Sequence, residues 1–310
     1  MASSALTERG PKILCAGVAV QDVVMRVERF PAPGEKVHGS DFMIIGGGCA
    51  ANAAVSIARL GGEVVFAGPL GSNDDAVSSR IVAELEAEGI ACDGIVRAPD
   101  ASASVSLILI DRSGEKSIAT RRGKGLSDAR PTNADRLVAD VDALLADNRF
   151  PDFVAELCRA GRARNIPVVV DVDQASDPRH ALFALGTYVI ASRTALRGIT
   201  GEDDPGGGLR ALSAYVPGFL AVSDGPNGIY WLEGPELRHM PAFKVEAIDS
   251  LGAGDIFHGA FTLALAEDRD IADAFRFASA TAAIKCTRFG GGASAPRRAE
   301  VDEFLRRQGT

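Results

Sequence analysis

The sequence predicts an α/β fold, with a doubly wound, mainly parallel sheet and helices on both faces. Three observations carry this. Short apolar runs (Val168 to Val172, Tyr188 to Ala191, Phe219 to Val222) alternate with stretches of helical periodicity, as in a sheet buried on both sides. Two small-residue turns, Gly46-Gly47-Gly48 and Gly252-Ala253-Gly254, each open a helix. The chain has 310 residues, 24% charged and 46% hydrophobic, enough for one large α/β domain with a full core.

Composition excludes several function classes. Net charge is −8, from 33 basic and 41 acidic residues, which argues against a nucleic-acid or anionic-membrane partner. No apolar run reaches the length of a membrane span. The first eleven residues are small and polar without a hydrophobic signal core, so residues 1–11 are expected to be a disordered tail, with a single domain over 12–310. Five cysteines are scattered, odd in number and without a C-x-x-C, which suits a reducing, cytoplasmic setting and no zinc site. The four histidines show no ligand spacing.

Taken in order, Ile13 to Val20 reads as a buried strand with Asp22 after its C-terminal end, where ligands collect in open α/β sheets. Val23 to Ile45 alternates loosely around Pro31, Pro33 and Gly34, which predicts two short antiparallel strands. Gly46 to Gly61 is a glycine turn entering a helix. Its G-x-G-x-x-A spacing also fits a dinucleotide fingerprint, but the next strand, Glu63 to Pro69, ends without the required acid. Asn73 to Gly89 reads as a helix. Ala101 to Ile110 and Glu115 to Arg122 read as a hairpin around Asp111-Arg112-Ser113-Gly114, with Arg121 and Arg122 at its foot.

The repeating α/β part follows. Val141 to Ala146 is a strand ending in Asp147-Asn148-Arg149, and Pro151 to Asn165 is a helix. The strand at Val168 to Val172 carries Asp171 and Asp173 at its end. Leu209 to Tyr215 is helical, and Ser223-Asp224-Gly225-Pro226-Asn227-Gly228 is a loop after a strand. Phe243 to Ile248 alternates like a strand, Ile256 to Ala266 and Asp273 to Thr287 are helices, Gly290 to Ser294 is a loop, and Ala299 to Arg307 is a closing helix.

The most informative stretch is Asp249-Ser250-Leu251-Gly252-Ala253-Gly254-Asp255. A small-residue turn at a helix N-terminus exposes backbone N–H groups of Gly252, Ala253 and Gly254, which can hold phosphate oxygens. Asp255 lies in the first turn, where the helix dipole is expected to keep its pKa low, and can take a proton from an attacking hydroxyl. An acidic first turn is also a common helix start without any function.

The run from Asp249 through Thr262 resembles the C-terminal signature of the ribokinase-like carbohydrate kinases, the PfkB family. Gly47-Gly48-Cys49-Ala50-Ala51-Asn52-Ala53-Ala54, with Gly61 and Gly71 downstream, resembles the N-terminal one. The resemblance extends from about Ile13 to Leu305. It implies a ribokinase-like fold with a small β-strand lid over 23–45 and 101–125. It also implies ATP with Mg2+ and a homodimer through the lid, and the Gly290 to Ser294 loop could border either the adenine or a monovalent cation (K+). By resemblance Asp255 deprotonates the sugar hydroxyl. Gly252, Ala253 and Gly254 steady the phosphoryl group, Asp22, Gly47, Gly48 and Asn52 hold the sugar, and Ser223, Gly225, Gly228 and Asp249 lie on the nucleotide side. No G-x-x-x-x-G-K-[ST] loop occurs.

The chain departs from the pattern at Ser192-Arg193-Thr194-Ala195, where the family carries Asn-x-x-Glu and organises magnesium, so the metal ligands are not assigned. The C-terminal third is similar to the sulfofructose kinase branch through Pro241 to Val245, Gly254 to Ala260, Arg276 to Ser279 and Lys285 to Arg288. In that branch Lys36 and Arg149 match the cations that hold the sulfonate, while the lid Asn is Thr120 here. The expected activity is ATP-dependent phosphorylation of a small sugar, with an anionic ketose such as 6-deoxy-6-sulfofructose as one substrate. Alternatives are a ribokinase, a fructokinase or a keto-deoxy sugar acid kinase, and, in another class, a non-catalytic sugar-binding regulator on the same fold.

Overall fold

A computed structural model describes residues 10–309. The expected tail therefore lies, over residues 1–9, outside the described residues. The chain runs β1 (Lys12–Ala16), β2 (Val20–Val27), β3 (Gly39–Gly47), α1 (Cys49–Arg59), β4 (Glu63–Leu70), α2 (Ala76–Ala87), β5 (Ala91–Arg97), β6 (Ser104–Ile110) and β7 (Lys116–Arg121). It continues through α3 (Ala134–Leu137), β8 (Ala143–Asp147), α4 (Pro151–Ala163), β9 (Val168–Val172), α5 (Ala181–Leu185), β10 (Tyr188–Ser192), α6 (Arg193–Thr200) and α7 (Pro205–Leu212). Then come β11 (Phe219–Ser223), β12 (Ile229–Glu233), β13 (Glu236–Met240), α8 (Ala253–Ala266), α9 (Ile271–Cys286) and α10 (Arg298–Arg307).

Nine strands form the main sheet in the order β13-β12-β11-β10-β9-β8-β1-β4-β5. The seven from β11 to β5 are parallel, and β12 and β13 close one edge antiparallel. Successive residues of β1 show why the strand reads as continuously apolar: Ile13 and Cys15 belong to one core, Leu14 and Ala16 to the other. Alpha helices cover both faces. Phe261 of α8 and Phe275 of α9 stack at 4.8 Å, and burying each ring stabilises the fold by about 2–3 kcal/mol. Among the described residues, no helix is long and apolar enough to cross a membrane.

Four strands make a second sheet, β3-β2-β6-β7. Register assigns its faces. Asp22 pairs with Ile45 and Ser106, and Ser106 with Thr120, so these four share one face. Phe42, Val23, Met25, Leu107 and Leu109 lie on the other, where Phe42 and Leu107 are 58% and 59% exposed.

Several elements differ from expectation. The run Ile13 to Val20 is not one strand. It breaks at Gly17, whose φ is 147° and whose missing Cβ would lie 2.2 Å from an Asp147 carboxylate oxygen. Asp22 consequently sits inside β2 rather than after β1. Phe243 to Ile248 is not a strand. Its alternation reflects packing on helices, with Phe243 edge-on to Phe304 at 5.2 Å and under the Arg276 guanidinium. Strand β5, the β12–β13 hairpin and helix α6 are additions to the expected elements. Ser192, at the departed Asn-x-x-Glu position, caps α6 by accepting the Ala195 N–H at 3.1 Å.

Candidate active site

The start of α8 forms as its composition requires. Gly252 adopts φ 75°, a left-handed conformation that suits glycine, and the Ile256 N–H closes onto its carbonyl at 3.0 Å. The N–H groups ahead of Ile256 precede that bond. Of the three singled out in the sequence, that of Ala253 donates to the Ser250 carbonyl at 3.3 Å. Gly254 is exposed, with open space where a Cβ would be.

Asp255 is half-buried beside this turn. Asn52, from the buried face of α1, donates its amide to Asp255 Oδ2 at 2.7 Å. The carboxyl is pushed above the ordinary aspartate pKa, first by burial and then by the nearby charge of Asp173, while the Asn52 hydrogen bond and Lys116 pull it down. The low pKa expected from the helix dipole is therefore corrected: burial and the Asp173 charge hold the carboxyl above its ordinary value.

Asp22 faces the same space from the smaller sheet. Burial raises its pKa to about 6 despite a hydrogen bond from the Ser106 side chain, and the Asp255 charge adds to the rise. Gly47 lets this happen, since a Cβ there would fall 2.0 Å from Asp22 Oδ2. Asn52 is gripped in the same way: a Cβ on Gly292 would lie 2.1 Å from its Oδ1.

A cleft of about 340 Å³ lies between the two sheets, and Asp22, Gly48, Asn52, Arg149, Gly252, Gly254 and Asp255 all line it. Residues from four separate stretches of the sequence are thus brought together. Gly47 lines a second cavity that shares Asn52 with the cleft. Ala253 does not line the cleft. Lys36 is exposed on the β2–β3 connection, outside the cleft lining, so it does not pair with Arg149 as expected. Arg149 instead bonds the Asp173 carboxylate and Gln174 Oε1, the latter at 2.9 Å. Arg122 reaches the same Gln174 oxygen at 3.2 Å.

Asp249 is also placed differently from a nucleotide contact. It is fully buried beneath the turn, and its carboxylate accepts N–H bonds from Leu251 (2.7 Å) and Gly290 (3.0 Å). Ser223, Gly225 and Gly228 stand at the C-terminal end of β11, outside this cleft. Gly228 is required there, because at φ 94° a Cβ would meet the Met240 carbonyl at 2.1 Å. Arg193 follows on from β10, its Nε 3.9 Å from Asp224 of that loop.

Sequence reasoning misses Lys116 and Ser106 as cleft residues, while Thr120 and Asp173, noted in the sequence without a role, also line the cleft. The β6–β7 register puts Lys116 on the same face as Ser106 and Thr120, toward the cleft. Period-two alternation is the available signal for Ser106 and Thr120.

Beneath the cleft lie buried acids at the ends of β8 and β9. Asp147 is a staple: it accepts N–H bonds from Val18 (2.7 Å), Ala50 (3.1 Å) and Arg149 (2.9 Å), and burial still raises its pKa to about 6. His258 Nδ1 donates to the Gly254 carbonyl (2.8 Å), and burial lowers the ring's pKa to about 4, so it is neutral. Among the described residues, Cys49, Asp171 and Asp255 could converge on a metal. Burial holds the Cys49 thiol protonated, and magnesium prefers oxygen donors, so this trio is no magnesium cage.

Comparison with known proteins agrees with the geometry. The profile of the pfkB family carbohydrate kinases matches residues 11–298. A ribokinase from Bacillus subtilis is 30% identical over 296 residues, covering 94% of this chain and 99% of its own. An ATP-dependent ribose-1-phosphate kinase from Halopiger xanaduensis is 29% identical, covering 95% and 98%. A crystal structure from Agrobacterium tumefaciens, provisionally described as a ribokinase, superposes with a TM-score of 0.91 at 35% identity over 96% of this chain and 98% of its own.

Proposed function

This chain belongs to the pfkB family of carbohydrate kinases and is an ATP-dependent sugar kinase, and we propose that it phosphorylates a hydroxyl of a ribose-sized sugar held between its two sheets. One observation carries the reading: Asp255, oriented by Asn52, opens onto the same cleft as Asp22, beside a helix N-terminus.

Each residue has a part in the transfer. Asp22 accepts hydrogen bonds from sugar hydroxyls. Asn52 holds Oδ2 of Asp255, which leaves Oδ1 to take the proton of the attacking hydroxyl as the O–P bond forms. The raised pKa makes Asp255 a stronger base than an exposed aspartate. The uncovered N–H groups at the α8 start stabilise the charge on the transferring phosphoryl group. A magnesium ion bound with the nucleotide would supply counter-charge to its phosphates there. The smaller sheet acts as a lid that excludes water, and Ser223, Gly225 and Gly228 border the nucleotide. Two copies pair through the apolar outer face bearing Phe42 and Leu107.

A second reading has its own observation. Arg122 and Arg149 converge on Gln174 Oε1 at the cleft wall, a pair of guanidiniums suited to an anionic tail such as a sulfonate. An ADP-release screen over neutral and anionic sugars decides. Turnover of ribose above all others supports the first reading, selective turnover of 6-deoxy-6-sulfofructose supports the second, and binding without turnover of any sugar removes both.

A further inference from the structure

The loop after α9 is one place where the sequence allows a monovalent cation beside the site, yet the Asp249 oxygens there already have a cation. Lys285, in the last turn of α9, is 0% exposed. Its Nζ donates to the Asp249 main-chain carbonyl at 2.7 Å and stands 3.1 Å from Asp249 Oδ2. A buried carboxylate and a buried carbonyl at one point require positive charge to be stable. The ammonium delivers that charge from within the chain.

The pair has consequences for the phosphoryl turn. The Asp249 carboxylate also accepts the Leu251 N–H, and the N–H groups of Gly290 and Gly291 at 3.0 and 3.3 Å. The Ile248 and Asp249 N–H groups donate to the Cys286 carbonyl, at 2.7 and 3.1 Å. One ammonium–carboxylate pair therefore ties together the end of α9, the 290–291 loop and the segment leading into Gly252 and Asp255. Burial works against the ammonium charge, and the Asp249 carboxylate supports it. A free monovalent ion bound to the Asp249 oxygens would have to displace a covalently tethered cation of equal charge.

We propose that Lys285 is a built-in cation that positions the α8 turn in place of a monovalent metal ion, so that this kinase turns over without potassium. The proposal rests on the α8 turn being the phosphoryl site, and thermal melting tests it apart from that reading. The wild type and Lys285→Met would be compared at equal ionic strength in choline, sodium, potassium and ammonium chlorides, by melting and by turnover. The wild type is expected to melt and turn over alike in all four salts. Lys285→Met is expected to melt lower in choline and to lose turnover by about a hundredfold through a displaced turn, with potassium or ammonium restoring part of both. A wild type that potassium activates several-fold overturns the proposal, even if the variant does not fold. So does a folded variant with undiminished turnover in choline, or one whose losses no cation restores.

Discussion

Asn52 and Asp255 are 203 residues apart in sequence and joined by a 2.7 Å hydrogen bond, amide to carboxylate. That bond joins the two glycine-turn helices, α1 and α8, at the carboxylate proposed as the base. It also opposes the burial that raises the Asp255 pKa. Replacing Asp255 by Asn keeps shape and removes the base. Turnover should fall by about 10²–10⁴-fold with nucleotide affinity retained. Undiminished kcat in Asp255→Asn, read by coupled ADP release, would take Asp255 out of the proton-transfer role.

The same bond predicts a pH effect. If Asp255 is the base proposed above, turnover requires it ionised, and the rate should rise with pH through its raised pKa. Asn52→Ala removes a hydrogen bond that favours the charged form. The acid limb of kcat should then move to higher pH by about 1–2 units, since a hydrogen bond to a charged group is worth about 1.5–3 kcal/mol. A pH–rate profile in which the limb stays in place while kcat drops would mean that Asn52 acts on something other than this carboxylate.

Asp22 makes a stability prediction of the opposite kind from a salt-bridged acid. Its folded pKa, about 6, lies above the ordinary aspartate value of 3.8, so between these values the folded state binds the extra proton. Stability is lost as pH rises through that window, and the full penalty, up to about 3 kcal/mol, is present above it. Asp22→Asn should therefore melt higher than the wild type at pH 7.5, with the gap closing by pH 4. An equal gap at both pH values would show that the carboxyl is not desolvated as described.

The turn at Asp249 to Asp255 is legible in the order of the residues alone, because small residues, an acid and a helical run are neighbours in the chain. What is not legible there has a common cause, which is contact at long range. Asp22 stands out as a residue but reads as the end of β1, because Gly17-Val18-Ala19 prolongs an apolar run and the break comes from Asp147, far along the chain. Lys285 looks like an ordinary basic residue in a last helical turn. Only tertiary packing buries it against Asp249. Lys36 misleads for the opposite reason: a lid cation can be assigned to a strand hairpin from sequence, but whether it points into the cleft depends on which side of the sheet its connection leaves.

Gly47 offers a test of whether Asp22 contacts sugar, because it acts through shape alone. A methyl group at this position would overlap Asp22 Oδ2, 2.0 Å from the ideal Cβ, and the strand pairing of Gly47 with Val20 leaves the backbone little room to yield. The carboxylate must swing away while Asn52 and Asp255, on other elements, keep their bond. Gly47→Ala should therefore raise KM for the sugar by about tenfold or more, a loss of about 1.4 kcal/mol in binding. kcat at saturation and KM for ATP should change far less. If KM for ATP rises instead and KM for the sugar holds, Asp22 faces the nucleotide, and the sugar must be gripped from the Arg122 and Arg149 side of the cleft.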